Sequence, residues 1–321
     1  MAAEILAVKG LKKYFPFKKD WFGRSIEYVR AVDGIDFHIG YGETLGLVGE
    51  SGCGKSTTGR TIMRLLEPTE GEILFEGQNI TLLGKKQLRQ VYKGMQLIFQ
   101  DPFASLNPRK TIGDALEEVL FIHGMKNSGQ RRERTEELLE MVGIRKEEMD
   151  KYPHEFSGGQ RQRIVIARAL AVNPRLIICD EPVSALDVSI QAQIINLLME
   201  LKNRLKLAYM FISHDLRVVR HVSDRMAVMY LGKIVETAPA EELFEEPAHP
   251  YTKALLSVVP HIKPGHRRKK TILEGEVPSP VNPPSGCRFR TRCRYATEQC
   301  AESEPPLKCL GRQHYVACHL Y

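Results

Sequence analysis

The stretch Gly49-Glu50-Ser51-Gly52-Cys53-Gly54-Lys55-Ser56-Thr57 constrains this chain more than any other. It follows the apolar run Thr44-Leu45-Gly46-Leu47-Val48. It opens a helix-like run from Thr57 to Leu66, in which Ile62, Leu65 and Leu66 share a face and Pro68 is the stop. Strand, glycine loop ending in Gly-Lys-Ser, then helix is the context of a phosphate-binding loop. Gly49, Gly52 and Gly54 let the backbone N–H groups around Ser51 and Cys53 curl about phosphates, and the helix start adds its free N–H groups and positive dipole end. Lys55 is placed to reach the β- and γ-phosphates, the Ser56 hydroxyl to ligate Mg²⁺, and Thr57 to complete the cradle. A glycine-rich turn before an ordinary helix is the plainer account, and the flanking strand and helix weigh against it.

A chain of 321 residues allows one large domain with an extension, or two domains. No apolar run approaches the roughly 20 residues of a membrane span, and Met1 to Lys9 lacks the apolar core of a signal peptide. A cytoplasmic chain is expected, where seven cysteines are not read as a disulfide framework. The net charge of +7 gathers partly in Lys18-Lys19 with Arg24 and in His266-Arg267-Arg268-Lys269-Lys270. Solvated loops account for both clusters more simply than nucleic acid or a membrane surface.

Short strands are expected at Ile5-Leu6-Ala7-Val8, Val32 to Ile39 and Thr44 to Val48. A long basic, aromatic loop holding Pro16, Trp21 and Phe22 lies between the first two, and a turn-rich β piece covers residues 69–80. Met95 to Phe99 reads as a strand ending at Gln100-Asp101-Pro102. Amphipathic helical runs follow at Ile112 to His123, at Arg131 to Val142 and from Ser157 to Pro174. Leu176-Ile177-Ile178-Cys179 is a continuous apolar run, as in a parallel strand covered on both faces. A helix from Ser189 to Leu205, a strand from Tyr209 to Ser213, and a hairpin of Met226 to Tyr230 with Ile234 to Thr237 complete the pattern. Beyond about residue 240 prolines dominate and five of the seven cysteines follow, which marks a boundary.

The chemistry-bearing groups fall at strand ends. Asp180-Glu181 closes the Leu176–Cys179 strand, on the edge where open α/β sheets bind ligands. Asp180 suits Mg²⁺, and Glu181 suits polarising an attacking water. Gln100 ends another strand and can ligate Mg²⁺ or contact the water. His214 follows the last core strand and can donate to a γ-phosphate. Ser157-Gly158-Gly159-Gln160 starts a helix with Ser157 as N-cap, which makes a second anion site. One chain has no use for two γ-phosphate sites unless two chains share nucleotides.

This order of motifs, with Ser184-Ala185-Leu186-Asp187 after the carboxylates, resembles the ATP-binding subunits of ABC transporters over residues 1 to about 240. Phe156 stands where that family commonly has leucine. The resemblance implies an α/β P-loop ABC ATPase core with an antiparallel β subdomain and an inserted helical subdomain at about 101–172. It implies ATP and Mg²⁺ (through Ser56, Gln100 and Asp180), catalysis by Glu181 and His214, and adenine stacking on Phe15, with Tyr14 as the alternative. Ser157 to Gln160 and the Ser184 to Asp187 loop then serve the ATP of a partner chain. Asp101-Pro102-Phe103-Ala104-Ser105-Leu106-Asn107-Pro108, His249-Pro250-Tyr251-Thr252, Glu274-Gly275-Glu276-Val277-Pro278-Ser279-Pro280 and the cysteine tail are similar to the oligopeptide/dipeptide/nickel importer branch. That branch implies a second, usually non-identical ATP-binding subunit, two transmembrane permease subunits, an extracytoplasmic peptide-binding protein acting indirectly, and a peripheral place on the cytoplasmic face of the inner membrane. It involves no nucleic acid. The rival is a soluble ABC ATPase of DNA repair or translation. The first would carry a coiled-coil insertion and the second usually two cassettes, and neither is found here.

The tail, residues 241–321, is expected to be a small Cys/Pro-rich extension. Cys287, Cys293, Cys300 and Cys318 can hold Zn²⁺ or an iron–sulfur cluster, with Cys309 left over. The tight cysteine pairs of structural zinc sites are absent. Arg288, Arg290, Arg292 and Arg294 would offset the negative charge of a four-thiolate cluster. The importer branch implies 4Fe–4S, with Zn²⁺ and metal-free thiols as alternatives. Cys53, beside Lys55 and before a helix start, is expected to be a reactive thiol.

Overall fold

In this computed structural model, which describes residues 3–19, 25–257 and 275–321, the chain begins with β1 (Glu4–Lys19), β2 (Ser25–Gly40) and β3 (Thr44–Val48). Next come α1 (Lys55–Ile62), β4 (Glu70–Phe75) and β5 (Gln78–Asn79). A mainly helical stretch follows: α2 (Lys85–Gly94), β6 (Met95–Ile98), α3 (Pro102–Ser105), α4 (Ile112–Ile122), α5 (Ser128–Met141) and α6 (Gly158–Leu170). Then come β7 (Leu176–Asp180), α7 (Val188–Leu205), β8 (Ala208–Ile212), α8 (Leu216–Val222), β9 (Arg225–Tyr230) and β10 (Lys233–Pro239). The tail holds α9 (Ala240–Glu245), α10 (Pro250–Ser257), α11 (Gln299–Glu302), β11 (Leu307–Gly311) and β12 (His314–Ala317). Trp21, Phe22, Arg24, the cluster from His266 to Lys270 and Glu274 lie outside the described residues.

The chain divides into two compact units, one of residues 1–5, 40–43 and 82–211, the other of residues 6–39, 44–81 and 212–321. In the first, β6 and β7 pair in parallel, Met95 opposite Leu176 through Ile98 opposite Cys179. Every residue of β7 is buried, as its unbroken apolar sequence requires. α4, α5 and α6 form the helical part, and Leu116, Leu120, Leu138, Leu139, Ile164 and Val165 are buried there. Asn127 caps α5 by accepting from the Gln130 amide, so the helix starts at Ser128, three residues before its apolar face becomes readable at Arg131. α2 is amphipathic, with Leu88 and Val91 buried one turn apart among charged residues, and it is an element the expected pattern lacks.

In the second unit, β2, β1, β4 and β5 form a four-stranded sheet. β1 continues past Val8 instead of yielding to a loop there. Its register with β4 shifts between Lys9 and Lys12, and the last β4 pairing is Lys12 with Glu70. Pro16 lies beyond that pairing, where its missing N–H costs β4 no hydrogen bond. In α1 the helix ends at Ile62, and Leu65 is half exposed instead of sharing the buried face of Ile62. Arg64 takes a left-handed φ of 55°, which turns the chain before Leu65.

β3 pairs in parallel with β9, β9 antiparallel with β10, β10 with β12, and β12 with β11. The tail therefore adds two strands beside β10. Glu236 of β10 is fully buried and accepts hydrogen bonds from the Ala248 amide (2.6 Å), the His249 amide (2.9 Å) and His314 Nε2 of β12 (2.7 Å). His314 Nδ1 lies 3.3 Å from Glu242 of α9. The Glu236 bond, opposed by burial and aided by Glu242, raises the His314 pKa above its ordinary value. A raised histidine stabilises the fold fully below about pH 6.5 and loses that contribution as pH rises through the native value. The protection factors of the β12 amides, exchange rates corrected for the intrinsic base-catalysed rate, should therefore fall from pH 6.5 to 9, and His314→Gln should flatten that fall. Protection factors that do not change with pH in the native chain would refute the assignment.

Candidate functional site

The phosphate loop is held by close packing before any ligand is considered. A Cβ on Gly49 would sit 2.2 Å from the Met229 carbonyl oxygen, and one on Gly54 would sit 2.0 Å from the Ala31 carbonyl oxygen. Gly54 also has φ of 108°, and only glycine satisfies both demands. The turn of the β9–β10 hairpin, Leu231-Gly232, has two positive φ values as a type I′ turn requires. Its Gly232 amide donates to the Cys53 carbonyl at 2.9 Å, so the hairpin buttresses the loop. Lys55 is buried, and its Nζ donates to the Gly49 and Glu50 carbonyls at 2.8 and 3.0 Å. The ammonium is thus fixed inside the loop it closes. Ser51 and Gly52 are exposed, while Ser56 and Thr57 are half-buried in the first turn of α1.

In the same unit the Ser213 amide donates to the Leu47 carbonyl at 3.3 Å, which lays the His214 turn beside β3. His214 is exposed, and Asp215 caps α8 by accepting from the Arg217 amide. The Tyr14 hydroxyl donates to buried Asp33, so that ring is tied down. Phe15 is half-buried with Lys13 Nζ 4.9 Å from its ring centre, and its face has no such tether.

The other unit carries the carboxylates. Asp180 is buried at the end of β7, and Glu181, the next residue, has a left-handed φ of 49°. Gln100, past the end of β6, donates from Nε2 to Glu181 Oε2 at 3.1 Å. The parallel pairing of β6 with β7 brings these groups together. Ser157 and Gln160 form a reciprocal capping box on α6, Gln160 N to Ser157 Oγ 3.3 Å and Ser157 N to Gln160 Oε1 3.0 Å. A Cβ on Gly159 would meet Ile190 at 2.5 Å and one on Gly158 would meet Leu186 at 3.3 Å. The two glycines therefore serve packing against the Ser184–Asp187 loop and α7 as well as exposing N–H groups. Ser184, Ala185 and Asp187 are exposed, and Leu186 is half-buried with its carbonyl accepting from Gln191.

Residues 32–184 match the ABC transporter family, and residues 235–300 match the C-terminal region of oligopeptide/dipeptide transporters. The oligopeptide transport ATP-binding protein AppF of Bacillus subtilis is 56% identical over 320 residues, spanning 99% of this chain and 97% of the relative. The chain belongs to the ATP-binding subunits of oligopeptide/dipeptide ABC transporters. The dipeptide transport ATP-binding protein DppF of Haemophilus influenzae is 50% identical over 314 residues, covering 98% of this chain and 96% of that one. Among solved structures, the dimeric post-hydrolysis state of the ATP-binding cassette MJ0796 with ADP and Pi matches with a TM-score of 0.65 and 28% identity, over 73% of this chain and 98% of that one. The subunit has the ABC cassette fold and is an ATPase. Among its described residues, no helix is long and apolar enough to cross a membrane.

Sequence reasoning missed what the tail does at the phosphate loop. The Tyr251 hydroxyl accepts from the Glu50 amide at 2.9 Å, and Arg292 pairs with the Glu50 carboxylate at 2.7 and 3.3 Å. Arg288 forms a buried ion pair with Asp33 and donates to the Leu231 carbonyl. Tyr230, Tyr251 and Phe289 pack as an aromatic cluster, with Phe289 edge-on to Tyr230 at 5.3 Å. Arginine after arginine between two cysteines is the available signal, and charge compensation for the cysteines is not its whole meaning.

The expectation for Cys53 does not hold. Its side chain is 4% exposed. Burial raises its pKa, and Lys55 Nζ, 3.7 Å from the sulfur, only partly opposes that. A buried neutral thiol is inert. In the folded subunit at pH 7.5, iodoacetamide should modify exposed Cys309 and spare Cys53 until the chain is unfolded. Peptide mapping showing equal rates at the two would reverse this conclusion.

Proposed function

We propose that this subunit powers the import of peptides, dipeptide or oligopeptide with nickel as the outlying cargo, across the cytoplasmic membrane. It would act at the membrane's cytoplasmic face, under two permease subunits, beside a second ATP-binding subunit that is usually non-identical, and served indirectly by an extracytoplasmic binding protein. The observation that carries the reading is similarity over nearly the whole chain to peptide-transport ATP-binding proteins, tail region included. Against a soluble ABC ATPase of repair or translation stands that same tail. The functional boundary falls near residue 240, with a cassette before it, its helical part at about 101–172, and the extension after it.

The chemistry follows from the residues. The loop from Gly49 to Thr57 offers backbone N–H groups and the Lys55 ammonium to the β- and γ-phosphates. Phe15 stacks on the adenine, since Tyr14 is engaged with Asp33. Ser56, Asp180 and Gln100 supply hard oxygen donors suited to Mg²⁺, which neutralises charge on the phosphates when bound. Glu181 polarises the attacking water, Gln100 steadies the Glu181 carboxylate by its hydrogen bond, and His214 donates to the γ-phosphate. Ser157 to Gln160 and the Ser184–Asp187 loop serve the partner's nucleotide. The Gln100–Pro108 segment, with Phe103 61% exposed, passes the motion to the permeases.

The tail cysteines fit a 4Fe–4S cluster by their chemistry. Cys287, Cys293, Cys300 and Cys318 line one cavity with Phe289 and His249, and Cys309 is exposed on β11. Burial, reinforced by the neighbouring cysteines, pushes the Cys287 thiol up to about 11, so a metal must displace its proton. Among the described residues no three His, Cys, Asp or Glu side chains are grouped to hold a single metal ion. Four thiols are soft ligands of the kind that a 4Fe–4S cluster or one Zn²⁺ takes, and the metal is decided by its colour and stoichiometry. Its role in this reading is to pin the proline-rich tail.

Glu181→Gln should cut phosphate release by about 10²- to 10⁴-fold while leaving equilibrium ATP binding intact. The partner subunit's own site must be disabled in this assay, and near-native turnover would remove Glu181 from its role. Protein purified without oxygen should be brown and carry about four irons per chain. Cys293→Ser should lose the iron and Cys309→Ser should keep it. A colourless protein with one tightly held zinc would decide for the other metal.

A further inference from the structure

The sequence of the tail brings two arginines into the nucleotide-binding unit from one short segment, Cys287-Arg288-Phe289-Arg290-Thr291-Arg292-Cys293. Arg292 reaches Glu50, the second residue of the phosphate loop. Both ends of Glu50 are then held by chain from beyond residue 248: its amide by the Tyr251 hydroxyl, its carboxylate by the Arg292 guanidinium in two-pronged contact. The Arg292 side chain is 6% exposed and that of Glu50 26%, so the pair is poorly screened by solvent. The Glu50 carbonyl is also one of the two acceptors that fix the Lys55 ammonium. Glu50 is thus an anionic side chain built into a loop whose work is to bind a polyanion.

A carboxylate in that place opposes triphosphate binding unless its charge is cancelled. We propose that Arg292 is a positioning and affinity-determining residue for ATP, acting through Glu50: it neutralises and turns aside a carboxylate that would otherwise compete with the triphosphate for Lys55. The cysteine-bearing tail is thereby a component of the nucleotide site and not only an appendage to it. The proposal rests on the ATPase reading and extends it to residues more than 200 positions from the loop. Arg288 acts alongside Arg292 at a different place, cancelling Asp33, which also accepts from Tyr14 next to Phe15. Only the Arg292–Glu50 contact is required for the argument.

The test uses the full-length subunit and equilibrium binding of Mg-ATP by calorimetry. Arg292→Gln keeps much of the side-chain volume and removes the charge. Its Kd for ATP should rise about tenfold at low ionic strength, and the deficit should shrink as salt screens the released carboxylate. Glu50→Gln placed in the Arg292→Gln background should restore the Kd to within about twofold of the native value, because the opposing charge is gone. Arg292→Lys should stay near native, since a cation remains. Failure of the native chain to bind ATP would undo the ATPase reading itself. Native binding with an unaltered Arg292→Gln Kd would overturn the proposal. So would a loss that Glu50→Gln fails to recover, which would make Arg292 a structural tie of the tail. If Arg292→Gln does not fold, as read by thermal melting, Arg292→Lys/Glu50→Gln carries the same comparison: a Kd weakened relative to Arg292→Lys overturns the proposal, and an equal or tighter one supports it.

Discussion

The narrow turn between β3 and α1 is the constraint on which the nucleotide-binding unit depends. Backbone atoms of Met229 and Ala31 approach so closely that side chains at Gly49 and Gly54 are excluded. In return the loop is rigid, and the Lys55 ammonium is fixed by two of its own carbonyls. A preorganised cationic loop at a helix start binds phosphate with little ordering cost at the moment of binding. The β9–β10 hairpin and the His214 turn are arranged around that loop by hydrogen bonds of the same unit.

The tail completes this arrangement instead of lying apart from it. It contributes a strand to β10, a buried histidine–glutamate contact, an aromatic cluster and two arginines that neutralise Asp33 and Glu50. Removing one partner of a buried ion pair such as Arg288–Asp33 costs about 3–5 kcal/mol. The segment is too poor in apolar residues to hold itself by burial alone. Anchoring comes from these polar contacts and from Phe289, and the four cysteines around one cavity add the means of a further clamp.

The carboxylate group follows a different logic. β7 is buried along its whole length, so its polar chemistry is confined to its end, where Asp180 and Glu181 emerge. Glu181 takes a left-handed backbone there, a conformation that strains most residues other than glycine. Gln100, delivered by the adjacent parallel strand, meets it.

Elements whose signal is local can be read from the order of residues. The phosphate loop, the apolar strand ending in Asp180-Glu181, the Ser157 cap and the helices α4, α6 and α7 are all legible from residues within a few positions of one another. The full length of β1 was not, because Pro16 reads as a break until its neighbours are known; α2 is absent from that set although Leu88 and Val91 share a face one turn apart. The inertness of Cys53 was also hidden: proximity to Lys55 in sequence suggested a thiolate, and burial reversed the sign. Only the folded chain shows that Tyr251 and Arg292 meet Glu50 of the phosphate loop and that Arg288 meets Asp33. Contacts made across 201, 255 and 242 residues leave no periodicity or spacing in the sequence. The arginines from Arg288 to Arg294 look like charge compensation for the cysteines until buried Asp33 and half-buried Glu50 are seen to pair with two of them.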